Sequence, residues 1–159
     1  MFRKVLSLLC MLVALTVLPA AAAPPPLPND VNIIAPGPDV PEKLASLSGK
    51  WAGKFSWTGL HGGASGSREI VLVVEKIEGD QVSVIFSYGS DPRSGETKWT
   101  RAVGTMSPMG KLKLPLKPPF TRADVTQEYT LKPDGTLAFW APPSSYYGTD
   151  FNGILTKQP

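Results

Sequence analysis

The fold of this 159-residue chain is decided by the stretch Leu47-Ser48-Gly49-Lys50-Trp51-Ala52-Gly53-Lys54-Phe55-Ser56-Trp57. Within it, Trp51, Gly53, Phe55 and Trp57 occupy every second position. A β-strand sends alternate side chains to opposite faces, so this spacing predicts one buried face that is rich in aromatic rings. The stretch therefore indicates the first strand of a β domain.

Seven more segments with strand-like alternation follow, separated by turn residues such as Pro133-Asp134-Gly135. Consecutive antiparallel strands leave two free edges unless the sheet closes on itself, and eight strands are enough to close. We therefore predict an all-β fold, a single antiparallel eight-stranded up-and-down β-barrel, with a β-sandwich as the alternative. The predicted strands are 48–57, 68–77, 81–88, 96–105, 111–117, 125–132, 136–141 and 148–157.

Three local features refine this prediction. The apolar run 70–74 suits burial on both faces or the interior of a tightly curved sheet. Pro115 has no N–H for a sheet ladder, so its strand is expected at an edge or beside a bulge. The loop 89–95 contains Asp91-Pro92 and is expected to be exposed.

The first 22 residues have the pattern of a secretory signal peptide. Arg3 and Lys4 give a basic start, an apolar run spans 5–18, and small residues follow. We expect cleavage after Ala22 and a secreted or periplasmic protein. The apolar run is shorter than the roughly 20 residues that a membrane-spanning helix needs, so no transmembrane span is predicted.

Two further regions follow the signal peptide. Residues 23–46 are a proline-rich N-terminal arm, which should behave as a semi-rigid, polyproline-like tether. The apolar residues at 31–34 could still dock as a short strand, and 41–47 could form one helical turn. Residues 47–157 form the β-barrel domain, which is large enough to fold alone.

Composition argues against several functional classes. The formal net charge of +3 falls to +1 once Arg3 and Lys4 leave with the signal peptide, which is too little for a nucleic-acid interface. The single cysteine, Cys10, also lies in the signal peptide, so neither disulfides nor thiol chemistry are expected. One histidine and scattered aspartates supply neither a zinc nor a calcium site, and no cofactor is predicted.

Enzymatic activity is not expected. His61 is the only histidine, and it shares a loop rich in glycine and serine with Ser65. A nucleophilic serine needs a base and an orienting acid, and Ser67 occupies the last glycine position of the G-x-S-x-G setting that Ser65 would need. A hydrolase that uses Ser65 and His61 is therefore only a third hypothesis.

The triplet Gly49-Lys50-Trp51, at the start of an eight-strand meander, resembles the G-x-W signature of the calycins. This group holds lipocalins, fatty-acid-binding proteins and avidins, and the stretch 47–51 is most similar to an avidin opening. The resemblance implies that Trp51 is a structural plug at the closed end of the barrel. It also implies a basic residue of the last strand above that tryptophan, for which Lys157 is the late counterpart. The resemblance carries no ligand over to this chain.

The candidate binding residues are polar or aromatic side chains in unusual places. Arg101 shares its strand face with Trp99, and Gln127 shares its face with Tyr129. Buried polar groups must be paired or reach water, so these residues mark either a polar lining or a sheet face open to solvent. The remaining candidates would gather at one loop end, where the first and seventh strands both finish. The predicted ligand-binding residues are Trp57, His61, Trp99, Arg101, Gln127, Trp140, Tyr146 and Tyr147.

Two functional hypotheses of different classes remain. The first is a non-enzymatic binding protein that holds a small apolar or amphipathic ligand, or a glycan, in or at the mouth of the barrel. The second is a filled barrel that acts as an envelope-associated protein-interaction module, whose protein partner the sequence does not name. An interior volume above roughly 300 Å³ would favour the first hypothesis, and a tightly packed interior would favour the second.

Overall fold

The computed structural model describes residues 22–58, 65–91, 95–117, 124–142 and 150–159. Each strand of this part of the chain pairs antiparallel with its sequence neighbour, and the last strand pairs with the first. The fold is therefore the predicted eight-stranded up-and-down barrel and not a sandwich. Residues 1–21, with Cys10, lie outside the described residues. The elements are α1 (Glu42–Ala45), β1 (Gly49–Trp57), β2 (Gly66–Glu78), β3 (Gln81–Tyr88), β4 (Lys98–Met106), β5 (Lys111–Leu116), β6 (Val125–Leu131), β7 (Leu137–Ala141) and β8 (Phe151–Lys157).

The barrel closes where β1 and β8 lie side by side. Gly53 pairs with Leu155, and Phe55 pairs with Gly153. A Cβ atom added at Gly53 would collide with the carbonyl oxygen of Ile154. The two strands approach closely because glycine supplies no side chain at these crossing points.

The barrel interior is filled by apolar side chains. Alternate residues of every strand point inward, so the period-two pattern of the sequence becomes a single core. Trp51, Leu72, Val82, Leu114 and Leu137 are all at most 1% exposed. Side chains rather than open space therefore occupy the lumen along most of its length.

The N-terminal arm lies against the outside of the barrel instead of extending from it as a tether. Leu27 and Val31 pack on a small apolar cluster formed by Val71, Val73 and Ile85, which point outward. This contact explains why the run 70–74 is buried on both faces, as its composition predicts.

Polar contacts also hold the arm in place. The N–H of Ile34 donates to the carbonyl oxygen of Glu75 at 2.8 Å, and the Ser87 hydroxyl donates to the carbonyl oxygen of Pro26 at 2.5 Å. Glu75 sits at a β-bulge between Val74 and Lys76, where the register of β2 and β3 shifts by one residue. The bulge frees Glu75 from the ladder with β3 and leaves it for the arm.

The ladder between β4 and β5 is short. Only two residue pairs join these strands, Thr105 with Lys113 and Met106 with Leu112. If the same register continued, Pro115 would face Val103, but proline has no N–H to donate. The expectation of an edge or a bulge at Pro115 is wrong, because β5 pairs with both β4 and β6 and no register shift interrupts either ladder. Pro115 is accommodated because it lies two residues beyond the end of the ladder with β4.

Correcting one prediction, the turn after β3 is not exposed at its start. Ser90 and Asp91 are both 8% exposed. The N–H of Ser90 donates to the carbonyl oxygen of Ala23 at 3.0 Å, and the N–H of Ala23 donates to the Ser90 hydroxyl at 2.7 Å. The beginning of the arm therefore covers this turn, which the sequence pattern alone did not reveal.

In the described part of the chain, no helix has the length and hydropathy to cross a membrane.

Candidate functional site

The two ends of the barrel differ. At one end of the barrel, which we call the mouth, β1, β3, β5 and β7 finish and β2, β4, β6 and β8 begin. The short turns between the other strands, together with α1, lie at the opposite end, which we call the closed end. The predicted ligand-binding residues belong mainly to strands near the mouth and to its connections.

Two predicted residues point into the barrel. Trp57 is 8% exposed, and its ring centroid lies 5.7 Å from that of Phe55 and 6.0 Å from that of Phe151. Gln127 is also buried, and its Oε1 accepts a hydrogen bond of 2.7 Å from the Tyr129 hydroxyl. Gln127 is thus a paired polar group inside the core.

Three predicted residues point outward. Trp99 and Trp140 are exposed on the outer surface, on β4 and β7. Arg101 lies 5.8 Å from the Trp99 ring and donates to the carboxylates of Asp30 at 2.9 Å and Glu75 at 3.1 Å. The face shared by Trp99 and Arg101 is therefore the sheet face open to solvent, and Arg101 anchors the arm rather than lining the lumen.

These contacts affect the acidity of both partners. The hydrogen bonds that Arg101 donates to Asp30 and then to Glu75 raise the pKa of its guanidinium, and the same bond to Asp30 lowers the pKa of that carboxyl. Both side chains remain charged at neutral pH, so the contact between arm and barrel is insensitive to pH there.

His61, Tyr146 and Tyr147 lie outside the described residues, so their predicted place at the mouth stays a prediction. Ser65 is exposed and directly precedes β2. No group of three or more histidine, cysteine or acidic side chains in the described ranges is arranged to hold a metal ion.

A buried ion pair at the mouth was not predicted from the sequence. Arg68 points inward from β2, and its Nε donates to Oδ2 of Asp91 at 2.7 Å. The two side chains are only 13% and 8% exposed. The guanidinium carbon of Arg68 also lies 4.9 Å from the centre of the Tyr88 ring, within the range of a cation–π contact.

The position of Arg68 was visible in the sequence, but its role was not. Arg68 lies two residues before Ile70 and thus on the same strand face as Ile70, Leu72 and Val74, which are buried. The alternation therefore predicts that the Arg68 side chain points inward. Its partner Asp91 belongs to a loop, and loop conformation is not set by periodicity. Burial, and then the negative charge of Glu96, raise the pKa of Tyr88, so this phenol stays neutral beside the pair.

A layer of aromatic rings lies at the same end of the barrel. Phe55 has its ring centroid 5.6 Å from that of Phe139 and 5.8 Å from that of Phe151. Phe55, Phe151 and Tyr88 are only partly buried, whereas the rings deeper in the core are closed to solvent. The mouth thus combines an apolar surface that solvent reaches with one shielded ion pair.

At the closed end, Trp51 is almost completely buried. Its indole N–H donates to the carbonyl oxygen of Leu47 at 2.8 Å. Nζ of Lys157 lies 5.7 Å from the centre of the indole ring and donates to the carbonyl oxygen of Ser46 at 2.7 Å. A basic residue of the last strand therefore does cover this tryptophan, as the calycin resemblance implies.

The chain was also compared with known proteins. A scan against protein-family models and a search of curated proteins both found no match.

Proposed function

We propose that this chain is a calycin-like, non-enzymatic binding protein that acts outside the cytoplasm and takes a small amphipathic ligand at the mouth of its barrel. The calycin relationship is supported by the G-x-W triplet, the closed eight-stranded meander and the contact of Lys157 with Trp51. Export, to the periplasm or the medium, is supported by the signal-like first 22 residues.

The filled core is the reason for choosing the mouth over the lumen. Side chains such as Leu72, Leu114 and Tyr129 occupy the barrel below the aromatic layer. A ligand inside the barrel would have to displace well-packed side chains, which costs several kcal/mol. A ligand at the mouth would only displace water from half-buried rings.

The single observation that carries this proposal is the partly exposed aromatic layer beside a shielded ion pair. The rings of Phe55 and Phe151 offer apolar area, which contributes roughly 25 cal/mol per Å² when it is removed from water. The Arg68 and Asp91 side chains place one charged pair beside that apolar area. Few polar groups beside an apolar surface are typical of small-molecule sites.

Tryptophan fluorescence tests the proposal. Dodecanoate, as an amphipathic probe, and maltotriose, as a glycan probe, are titrated into the protein and into the variants Trp57→Phe and Trp140→Phe. We expect dodecanoate to change the emission of the protein and of Trp140→Phe, but not that of Trp57→Phe, because only Trp57 lies at the aromatic layer. A response that Trp57→Phe retains in full places the ligand elsewhere, and no response to either probe refutes the proposal.

The filled core also favours a second candidate, the protein-interaction module. Trp99 and Val103 are 41% and 53% exposed on the outer face of β4, beside the docked arm. Large exposed apolar side chains at one place are common at protein interfaces. The same titration separates the two candidates, since a module that acts through its outer face gives no response of Trp57 to small molecules.

A further inference from the structure

The closed end of the barrel carries a cleft that is separate from the mouth. It has a volume of about 540 Å³ and lies between α1, the turn after β6 and the end of β8. We call it the lysine cleft. Its lining residues are Lys43, Ser46, Trp51, Leu131, Lys132, Pro133, Gly135 and Lys157.

Two of the three lysines are held in position. The Lys43 stem packs against Gly110, and its Nζ donates to the carbonyl oxygen of Met109 at 3.2 Å. Nζ of Lys157 is fixed between the Trp51 ring and the carbonyl oxygen of Ser46. An ammonium group has three N–H donors, so each of these lysines keeps donors for a further partner.

The lysine cleft carries more positive than negative charge among the described residues. Lys43, Lys132 and Lys157 form no ion pair with a carboxylate of the described residues, whereas five other lysines each lie within 4 Å of a glutamate. Asp134 adjoins the cleft, but its Oδ1 accepts hydrogen bonds from the Thr136 N–H at 2.9 Å and the Thr136 hydroxyl at 2.7 Å. The Thr136 hydrogen bonds lower the pKa of Asp134 most, and the charge of Lys132 lowers it further. The cleft therefore presents three positive charges beside one carboxylate.

We infer that the lysine cleft binds a small organic phosphate, such as a phosphorylated sugar. Three lysines match the charge of a phosphate monoester, close to −2 at neutral pH, better than that of a single carboxylate. The volume lies within the range of small-molecule sites and is far larger than one bare ion needs. Leu131 and Pro133 add an apolar surface for the carbon part of the ligand.

The indole N–H signal of Trp51 in ¹⁵N NMR spectra reports on this cleft, and the signal of Trp140 serves as an internal control on the outer wall. We expect glucose 6-phosphate at low salt to shift the Trp51 signal and leave the Trp140 signal in place. Glucose should have no effect, and inorganic phosphate should bind more weakly than the sugar phosphate. Equal affinity for inorganic phosphate would overturn the organic part of the inference.

Charge variants complete the test. Lys132→Gln should weaken glucose 6-phosphate binding about tenfold, the value of one charge-assisted hydrogen bond. Lys113→Gln, on the outer face of β5, is the matched control and should change the affinity less than about twofold. If the protein shows no shift at millimolar ligand, or if both variants weaken binding equally, the cleft is not a phosphate site. The outcome of the NMR and charge-variant experiments does not depend on ligand binding at the mouth. The fluorescence titration tests that binding separately.

Discussion

Tyr129 and Gln127 are polar side chains inside an otherwise apolar core, and they satisfy each other. The phenol is completely buried and donates to Oε1 of Gln127. Burial raises the pKa of Tyr129 well above its ordinary value of 10.0. The protonated form is therefore required by the fold, because a buried phenolate has no compensating charge beside it among the described contacts.

Stability should consequently fall in alkaline solution. The pKa is raised in the folded state, so the stabilisation is complete below pH 10 and is lost as the pH rises above it, where only the unfolded chain ionises. Urea unfolding should show a loss of about 1 kcal/mol from this residue between pH 9 and pH 11. The variant Tyr129→Phe should start about 1 kcal/mol less stable, because Gln127 loses its donor, but should lose less over that range. An equal alkaline loss in both proteins would contradict the assignment to Tyr129.

Strands and their inward faces could be predicted from the sequence because period-two alternation is a local property. The predicted strand 81–88 matches β3, and the inward residues Val82, Val84 and Phe86 are buried. Pro115 suggested an edge or a bulge that the closed barrel does not have, because the short ladder between β4 and β5 already ends before it. The direction in which Trp99 and Arg101 point could not be decided, because neither face of their strand is uniformly apolar. Trp99 and Val103 share their face with Arg101, and the other face carries Lys98 and Thr100 beside Ala102.

The position of the arm on the barrel could not be predicted from local sequence patterns. Its prolines indicate stiffness, but its position depends on a distant apolar cluster on β2 and β3 that only the folded barrel assembles. The apolar run 70–74 was the one signal of a cover on the outer face. The ion pair of Arg68 with Asp91 is a similar case, since the arm helps to bury the turn that holds Asp91.

Removal of the arm should therefore expose an apolar surface that promotes self-association. In a chain that lacks residues 23–34, Val71, Val73 and Ile85 lose the contacts with Leu27 and Val31. We expect this truncated chain to self-associate more strongly than the chain that begins at Ala23, because contiguous exposed apolar area promotes association. Size-exclusion chromatography with light scattering measures the effect.

The matched control is the same truncation with threonine at positions 71, 73 and 85. Threonine keeps the β-branched shape that suits a strand while reducing the apolar area. This control should return to the mass of the untruncated chain. If the simple truncation shows no more association than the chain that begins at Ala23, the arm does not serve as a cover.

Closure of the barrel is a property of the whole chain, since it joins the first strand to the last. The number of strands and the aromatic face of β1 predicted that the barrel closes. They did not predict how closely β1 and β8 approach each other. Gly53 and Gly153 define that contact, because a Cβ atom at either residue would collide with backbone atoms of the opposite strand. The barrel interior is closely packed, so neighbouring residues cannot shift enough to relieve this clash.

Gly53→Ala should therefore destabilise the entire barrel. We expect a loss of about 3 kcal/mol or more in the free energy of unfolding, because the clash is with the backbone of β8 and not with a flexible side chain. Gly37→Ala is the matched control, since an added Cβ there has no atom within 4 Å and the substitution should be nearly neutral. Urea unfolding of both variants measures the difference. Equal midpoints would show that β1 and β8 can separate without loss of the core, and the barrel would then be held together by its other seven ladders.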